Sequence, residues 1–272
     1  VPAVQEEMLK EIGASSIDEF VECTPEELRL DRKLDLPDPL LSEAALKRHV
    51  ETLLHKNTTA SEKLSFLGGG CWDHHVPAIC DEINSRSEFL TAYAGEPYED
   101  HGRFQALFEY CSMMAELLDV DVVNVPTYDG AQAAATSIRM AFRMNGKKTV
   151  LVASSIHPDN LAVIRNYCKP DLKVEMIELD PKSGLLDLND LDNRLTEDTC
   201  CVYFENPSYY GTLETEGKKI SQMAHRSGAM MIVGVDPSSL GVIAPPSSYG
   251  ADIVCGDIQP LGLHMYCGGA KA

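Results

Sequence analysis

The chain has 272 residues, 44% apolar and 24% charged, proportions of a globular protein long enough to bury a core in one large or two small domains. Its 23 Lys and Arg against 42 Asp and Glu give a net charge of −19. That excludes a nucleic-acid binder, because phosphate neutralisation needs clustered cations, and equally a protein that docks on an anionic membrane. No run approaches the roughly 18 apolar residues of a membrane span, and the start, Val1 to Glu7, has neither the charge pattern of a signal peptide nor an initiator Met. The nine cysteines (Cys23, Cys71, Cys80, Cys111, Cys168, Cys200, Cys201, Cys255 and Cys267) are odd in number, scattered, and without a CxxC pair. They do not read as a disulfide framework, so a reducing, cytoplasmic compartment is expected.

Residues 1 to about 60 read as a polar, helical arm. Thr24-Pro25-Glu26-Glu27 predicts a helix start, with Thr24 capping, Pro25 at the first helical position and Glu27 closing a capping box. Leu36-Pro37-Asp38-Pro39 breaks the chain. Ser42 opens a second helix, with Ala45, Leu46, His49, Val50 and Leu53 at helical spacing.

Strand and helix then alternate. Helices are predicted from about Arg103 to Leu118 and from Gln132 to Arg143. A buried strand follows at Thr149–Ala153, a helix at Asp159–Cys168, and a period-two strand at Lys173–Leu179. A short helix near Leu188–Leu195 leads to a strand at Cys200–Phe204. A helix from Glu216 to Arg226 stops at Gly228. The last strands are Ala229–Val235 and Asp252–Cys255. Continuous apolar strands separated by helices imply a mainly parallel sheet with helices on both faces. Ligands of such sheets bind beyond the carboxyl ends of the strands, which directs attention to Ser154–His157, Glu205–Ser208 and Asp236–Ser239.

No GxGxxG or GxxxxGK[ST] motif occurs, which disfavours nicotinamide and P-loop sites. Leu67-Gly68-Gly69-Gly70 lacks the spacing of either and reads as a turn. Cys71, Asp73, His74, His75 and Cys80 are the only dense group of metal-ligand types, but neighbouring histidines diverge and no second pair stands at zinc spacing, so no metal site is expected. Asp236 ends the most apolar strand. A carboxylate there suits the protonated ring nitrogen of pyridoxal phosphate (PLP); its competing role is an Asx turn before Pro237-Ser238. His157 is placed either to contact a ligand or to start the helix at Pro158. PLP chemistry also needs a lysine for the Schiff base, normally one strand beyond the aspartate. Gly256 to Gly262 contains none, nor does any position between Lys219 and the penultimate residue Lys271.

Several longer stretches resemble one family in order along nearly the whole chain: Phe66–Ala78, Ser85–Tyr93, Phe108–Tyr110, Tyr128–Ala131, His157-Pro158, Asn206–Gly211, Asp236–Gly241, Gly250–Val254, Gln259–Gly262 and Cys267–Gly269. They resemble the N-terminal-half form (subunit 1) of the glycine cleavage system P-protein. The resemblance implies an α/β fold-type I PLP-dependent transferase-like large domain over residues 61–272, preceded by an N-terminal helical arm over 1–60. It implies a partner, subunit 2, which holds PLP, in an α2β2 enzyme that decarboxylates glycine and passes the aminomethyl group to the lipoyl arm of H-protein. Subunit 1 of that family normally lacks the Schiff-base lysine, whose slot here is about Pro260, so the isolated chain is expected to be inactive and no residue of it is assigned as catalytic. Glu88, His157, Asn206 and Asp236 are the cofactor-binding or pocket candidates. The alternatives are a stand-alone PLP decarboxylase or lyase using Lys271 or another lysine, and a non-catalytic scaffold. The chain departs from the family at Ala94–Gly102, where the pattern TPYQPEISQG is usual. The family also continues into a C-terminal small domain, so 272 residues are expected to be a cofactor-domain fragment.

Overall fold

The structure, a computed structural model, describes residues 2–30, 32–59, 62–64, 72–87 and 101–264, with only the backbone of 101–103. Gly68–Gly70, Cys71, Glu88, most of the Ala94–Gly102 stretch, Cys267 and Lys271 lie outside them. The chain divides into two compact units, residues 1–63 and 64–272.

The first unit holds α1 (Pro2–Glu11), short 3-10 turns at Ile17–Val21 and Glu26–Leu28, and α2 (Glu43–Leu54). None of these elements buries a residue. The helix expected at Thr24-Pro25 is only the three-residue turn, with Pro25 at its N-cap and no side-chain cap. Arg29 is the reason. Its backbone is extended, and its guanidinium donates to the carbonyls of Thr24 at 2.7 Å and Glu22 at 2.6 Å. The Thr24 carbonyl is the acceptor that a continuing helix would use. Ser42 does precede α2, although its side chain makes no cap bond. Leu46, Val50 and Leu53 share one face of α2 and are exposed.

The second unit contains α3 (Ala78–Asn84), α4 (His101–Leu118) and α5 (Gly130–Asn145), followed by alternating strands and helices: β1 (Thr149–Ala153), α6 (Pro158–Cys168), β2 (Lys173–Ile177), α7 (Leu188–Arg194), β3 (Thr199–Glu205), α8 (Gly217–Arg226), β4 (Met230–Gly234) and β5 (Ile253–Cys255). The strands form one sheet in the order β2-β1-β3-β4-β5 with every pair parallel. The sequence signals explain these elements. Asp129 caps α5 by accepting the Gln132 N–H at 2.7 Å, and β1, β3 and β4 are runs of β-branched, sulfur-containing and aromatic residues.

Alternation along each strand feeds two separate cores. Val150, Val152, Cys201, Tyr203 and Ile232 pack with Ala134, Ile138, Ile164 and Cys168 of α5 and α6. Leu151, Ala153, Val202, Phe204, Met231 and Val233 pack on the opposite face with Leu191, Ile220 and Ala224 of α7 and α8. This is the mainly parallel sheet with helices on both faces that the strand and helix pattern predicts. The first strand connection runs outward from β1 to β2, and the next crosses back to β3. The carboxyl ends of β1 and β3 therefore flank the topological switch point, where open α/β sheets take ligands.

Ile232 has no exposed surface and sits in the middle of β4. Ile232→Ala is expected to cost about 2–5 kcal/mol of unfolding free energy, whereas Val122→Ala, at a residue 85% exposed, is expected to cost less than about 0.5 kcal/mol. Urea denaturation of the two variants side by side checks the assignment; equal losses would contradict it.

Candidate functional site

At the carboxyl end of β1 the chain turns through Ser154–Ile156 into α6. His157 is the N-cap: its Nδ1 accepts the Asp159 N–H at 3.1 Å. Its ring stands edge-on to Tyr209, with centroids 4.7 Å apart. The His157 N–H donates to Glu205 Oε2 at 3.1 Å, and Asn160 Nδ2 donates to Glu205 Oε1 at 2.9 Å. Glu205, the last residue of β3, thus holds the first turn of α6 from below. Burial pushes its carboxyl above the ordinary value, against the lowering effect of the Asn160 and His157 bonds. Gly234 is its neighbour on β4. A Cβ at Gly234 would lie 2.6 Å from the Tyr203 hydroxyl and 3.0 Å from Glu205 Cγ, so only glycine leaves room for the pair.

Asn206 follows Glu205 and is buried. Its Oδ1 accepts the Glu214 N–H at 3.1 Å, and its Nδ2 donates to the Glu214 carbonyl at 3.3 Å and the Tyr249 hydroxyl at 3.2 Å. The amide is fully engaged within the chain and ties the β3 exit loop to the 249 region. Asp236 ends the β4 crossing. Its Oδ1 accepts the N–H of Ser238 at 2.9 Å and the hydroxyl of Ser238 at 2.7 Å, the Asx-turn geometry. Its Oδ2 accepts the indole N–H of Trp72 at 2.9 Å.

Beyond β5, Asp257 Oδ1 accepts the N–H of Gly130, the first residue of α5, at 2.8 Å. A Cβ at Gly130 would lie 2.8 Å from that carboxyl, so the close approach requires glycine. Burial raises the Asp257 pKa; the Gly130 bond lowers it, neighbouring Asp129 and Asp236 raise it, and His157 lowers it. Gln259 is completely buried. Its Oε1 accepts the Trp72 N–H at 2.9 Å, while its Nε2 donates to the Trp72 carbonyl at 3.1 Å and the Leu263 carbonyl at 2.9 Å.

His157 and Asp236 both lie near enough to act on the charge of Asp257, whereas Asn206 faces the Glu214–Tyr249 side and Glu88 lies outside the described residues. The sequence pointed to the Glu205–Ser208 stretch but assigned no role to Glu205, Asp257, Trp72 or Gln259. The first two were visible as lone acidic residues closing apolar strands. The Trp72–Gln259 pairing spans 187 positions and left no local signal. In the group of metal-ligand side chains around 71–80, His74 Nδ1 lies 3.0 Å from the Trp72 carbonyl, and Asp73 and His75 are exposed. No metal-ligating cluster occurs among the described residues. A cavity of about 560 Å³ runs along the free edge of β5, between Met114, Val123, Met140 and Ile253. It reaches Asp257 but is not lined by His157, Asn206 or Asp236.

A family model described as the glycine cleavage system P-protein matches residues 2–272. The chain belongs to the P-protein family. A curated relative from Chlorobium phaeobacteroides, named probable glycine dehydrogenase (decarboxylating) subunit 1, is 41% identical over 97% of the chain and 59% of its own length. One of the same name from Staphylothermus marinus is 40% identical over 98% of the chain and 58% of its own length. The chain thus spans about three-fifths of the curated relatives it matches. A crystal structure of glycine decarboxylase (P-protein) of the glycine cleavage system, in inhibitor-bound form, superposes with a TM-score of 0.83 at 38% identity, over 97% of this chain and 58% of that one. A glutamate decarboxylase from Lactobacillus brevis shares the fold, with a TM-score of 0.63 at 12% identity over 90% of this chain and 66% of its own.

PLP is the cofactor this fold family implies, and it needs a lysine amine, a carboxylate free to take the ring N–H, and donors for its phosphate. The described residues of this P-protein chain do not fit it. Lys147, Lys148 and Lys173 stand at the amino ends of β1 and β2, and Lys182, Lys218 and Lys219 are exposed. No described hydrogen bond or ion pair joins a lysine to His157, Asn206, Asp236 or Asp257. Both Asp236 oxygens already accept hydrogen bonds from within the chain, Oδ2 from the Trp72 indole. The N-terminus of α5, which opens on the strand ends, is already capped by Asp129 and Asp257. Two carboxylates there repel a phosphate rather than receive it.

The raised pKa of Glu205 sets a pH test. The folded chain holds that proton more tightly than the unfolded chain. The stabilisation is therefore complete below the ordinary value of 4.5 and is lost as pH rises through the raised one. The stability of the unmodified chain minus that of Glu205→Gln, which does not titrate, is expected to fall as pH rises from about 4 to 8. Denaturant midpoints across that range check it, and a flat difference would contradict the burial of Glu205.

Proposed function

We propose that this chain is subunit 1 of a hetero-oligomeric P-protein. With subunit 2 it decarboxylates glycine and passes the aminomethyl group to the lipoyl arm of H-protein, in the cytoplasm. In this reading subunit 2 carries the lysine and holds PLP, and the present chain contributes structure rather than catalytic groups. The observation that carries the reading is a conjunction. The likeness to relatives named subunit 1 extends over 97% of the chain, yet Asp236 and Glu205 are hydrogen-bonded from within the chain and, among the described residues, no lysine joins them. The arm supports it too. Its elements bury no residue, while Phe20, Leu41, Leu46, Val50 and Leu53 are exposed, so it presents apolar surface suited to covering a neighbouring subunit. His157 and Asp236 are read as supports of the pocket rather than as catalytic residues.

Glycine–bicarbonate exchange with H-protein tests the proposal. Subunit 2 alone is expected to be slower than subunit 2 with this chain by at least about tenfold, and equal rates would overturn it. Borohydride reduction of the isolated chain with PLP is expected to leave it unlabelled. A labelled Lys271 peptide would instead favour the stand-alone PLP enzyme.

A further inference from the structure

Trp72 is the only tryptophan in the chain, and it is held at three points. One fully buried side chain, Gln259, bonds both the N–H and the carbonyl of its backbone. Gln259 is itself fixed by the Leu263 carbonyl. The third point is the indole N–H, which donates to Asp236 Oδ2. Asp236 cannot rotate to follow another partner, because its other oxygen is pinned by the N–H and hydroxyl of Ser238. The flat indole therefore lies at the carboxyl end of β4, beside the strand ends where ligands of such sheets bind. Its bond to Asp236 is the one that any planar heteroaromatic ring with an N–H donor would seek from that carboxylate.

We propose that Trp72 is a built-in ligand: its indole occupies a binding site for planar N–H heteroaromatic rings beside Asp236 and keeps such rings from entering this chain. The inference concerns this chain alone and stands whether or not the subunit reading does. Shape and the N–H contribute separately. Removing the side chain leaves a ring-sized vacancy, and Asp236 Oδ2 supplies selectivity for a donor over an isosteric ring without one. A hydrogen bond to a charged acceptor is enough for a preference on the order of tenfold.

The test is chemical rescue of Trp72→Gly, with indole and benzofuran as probes. Benzofuran matches indole in shape but has no N–H. Calorimetric titration is expected to show saturable indole binding to the variant, on the order of tenfold tighter than benzofuran, with neither probe binding the unmodified chain. Indole is also expected to raise the variant's melting temperature. Equal affinity for the two probes, or no indole binding by a folded variant, would overturn the proposal. If Trp72→Gly does not fold, fluorescence of the unmodified chain decides, because its one tryptophan reports on this site alone. Asp236→Ala is expected to red-shift the emission and to raise acrylamide quenching on the order of twofold. Spectra and quenching that do not change would show that the indole is not seated on Asp236.

Discussion

Burial of both faces of the sheet is the constraint on which the rest of the structure depends. β1, β3 and β4 send alternate side chains into two apolar cores, one under α5 and α6 and the other under α7 and α8. Neither face can hold unpaired polar groups, because a buried polar group without a partner is costly. Polar chemistry is thereby confined to the strand ends, where backbone, helix N-termini and short-range side chains meet. The parallel order β2-β1-β3-β4-β5 brings those ends to a single edge. His157, Glu205, Asn206, Asp236, Asp257 and Gln259 all stand just at or beyond strand termini.

Much of the polar chemistry at this edge is satisfied from within the chain. Glu205 is bonded by the α6 N-terminus, Asp257 by the α5 N-terminus, Asn206 by Glu214 and Tyr249, and Asp236 by Ser238 and Trp72. In a half-buried setting each such bond takes up a donor or an acceptor that an incoming ligand would need. The same residue types at the same edge could serve a cofactor in a sheet of this fold. Here they hold the loops together, and the pocket's flat, N–H-bearing element comes from the chain itself.

The sheet was legible in the sequence because its signals are local: apolar runs with β-branched residues, Asp129 and His157 at helix starts, and Gly228 after α8. The helix expected at Thr24-Pro25 failed for a reason that sequence spacing does not carry, since Arg29 folds back onto the Thr24 and Glu22 carbonyls. At the site, Asp236 and His157 were identifiable by their positions at strand ends. The sequence left open whether Asp236 forms an Asx turn or receives a ring N–H, and the structure has it do both, with the ring supplied by Trp72. The Trp72–Gln259 and Gly130–Asp257 pairings join residues more than a hundred positions apart, so only the folded arrangement reveals them. Charge and composition argued against nucleic acid, and the activity proposed rests on the family resemblance, since fold alone would not carry it.

If the position beside Asp236 is filled by the chain's own indole, it is closed to a ring cofactor. A crystal structure of this chain grown or soaked with excess PLP decides the matter. The Trp72 indole is expected within hydrogen-bonding distance of Asp236, with no cofactor density over the strand ends. A PLP ring seated on Asp236, with Trp72 displaced, would contradict it.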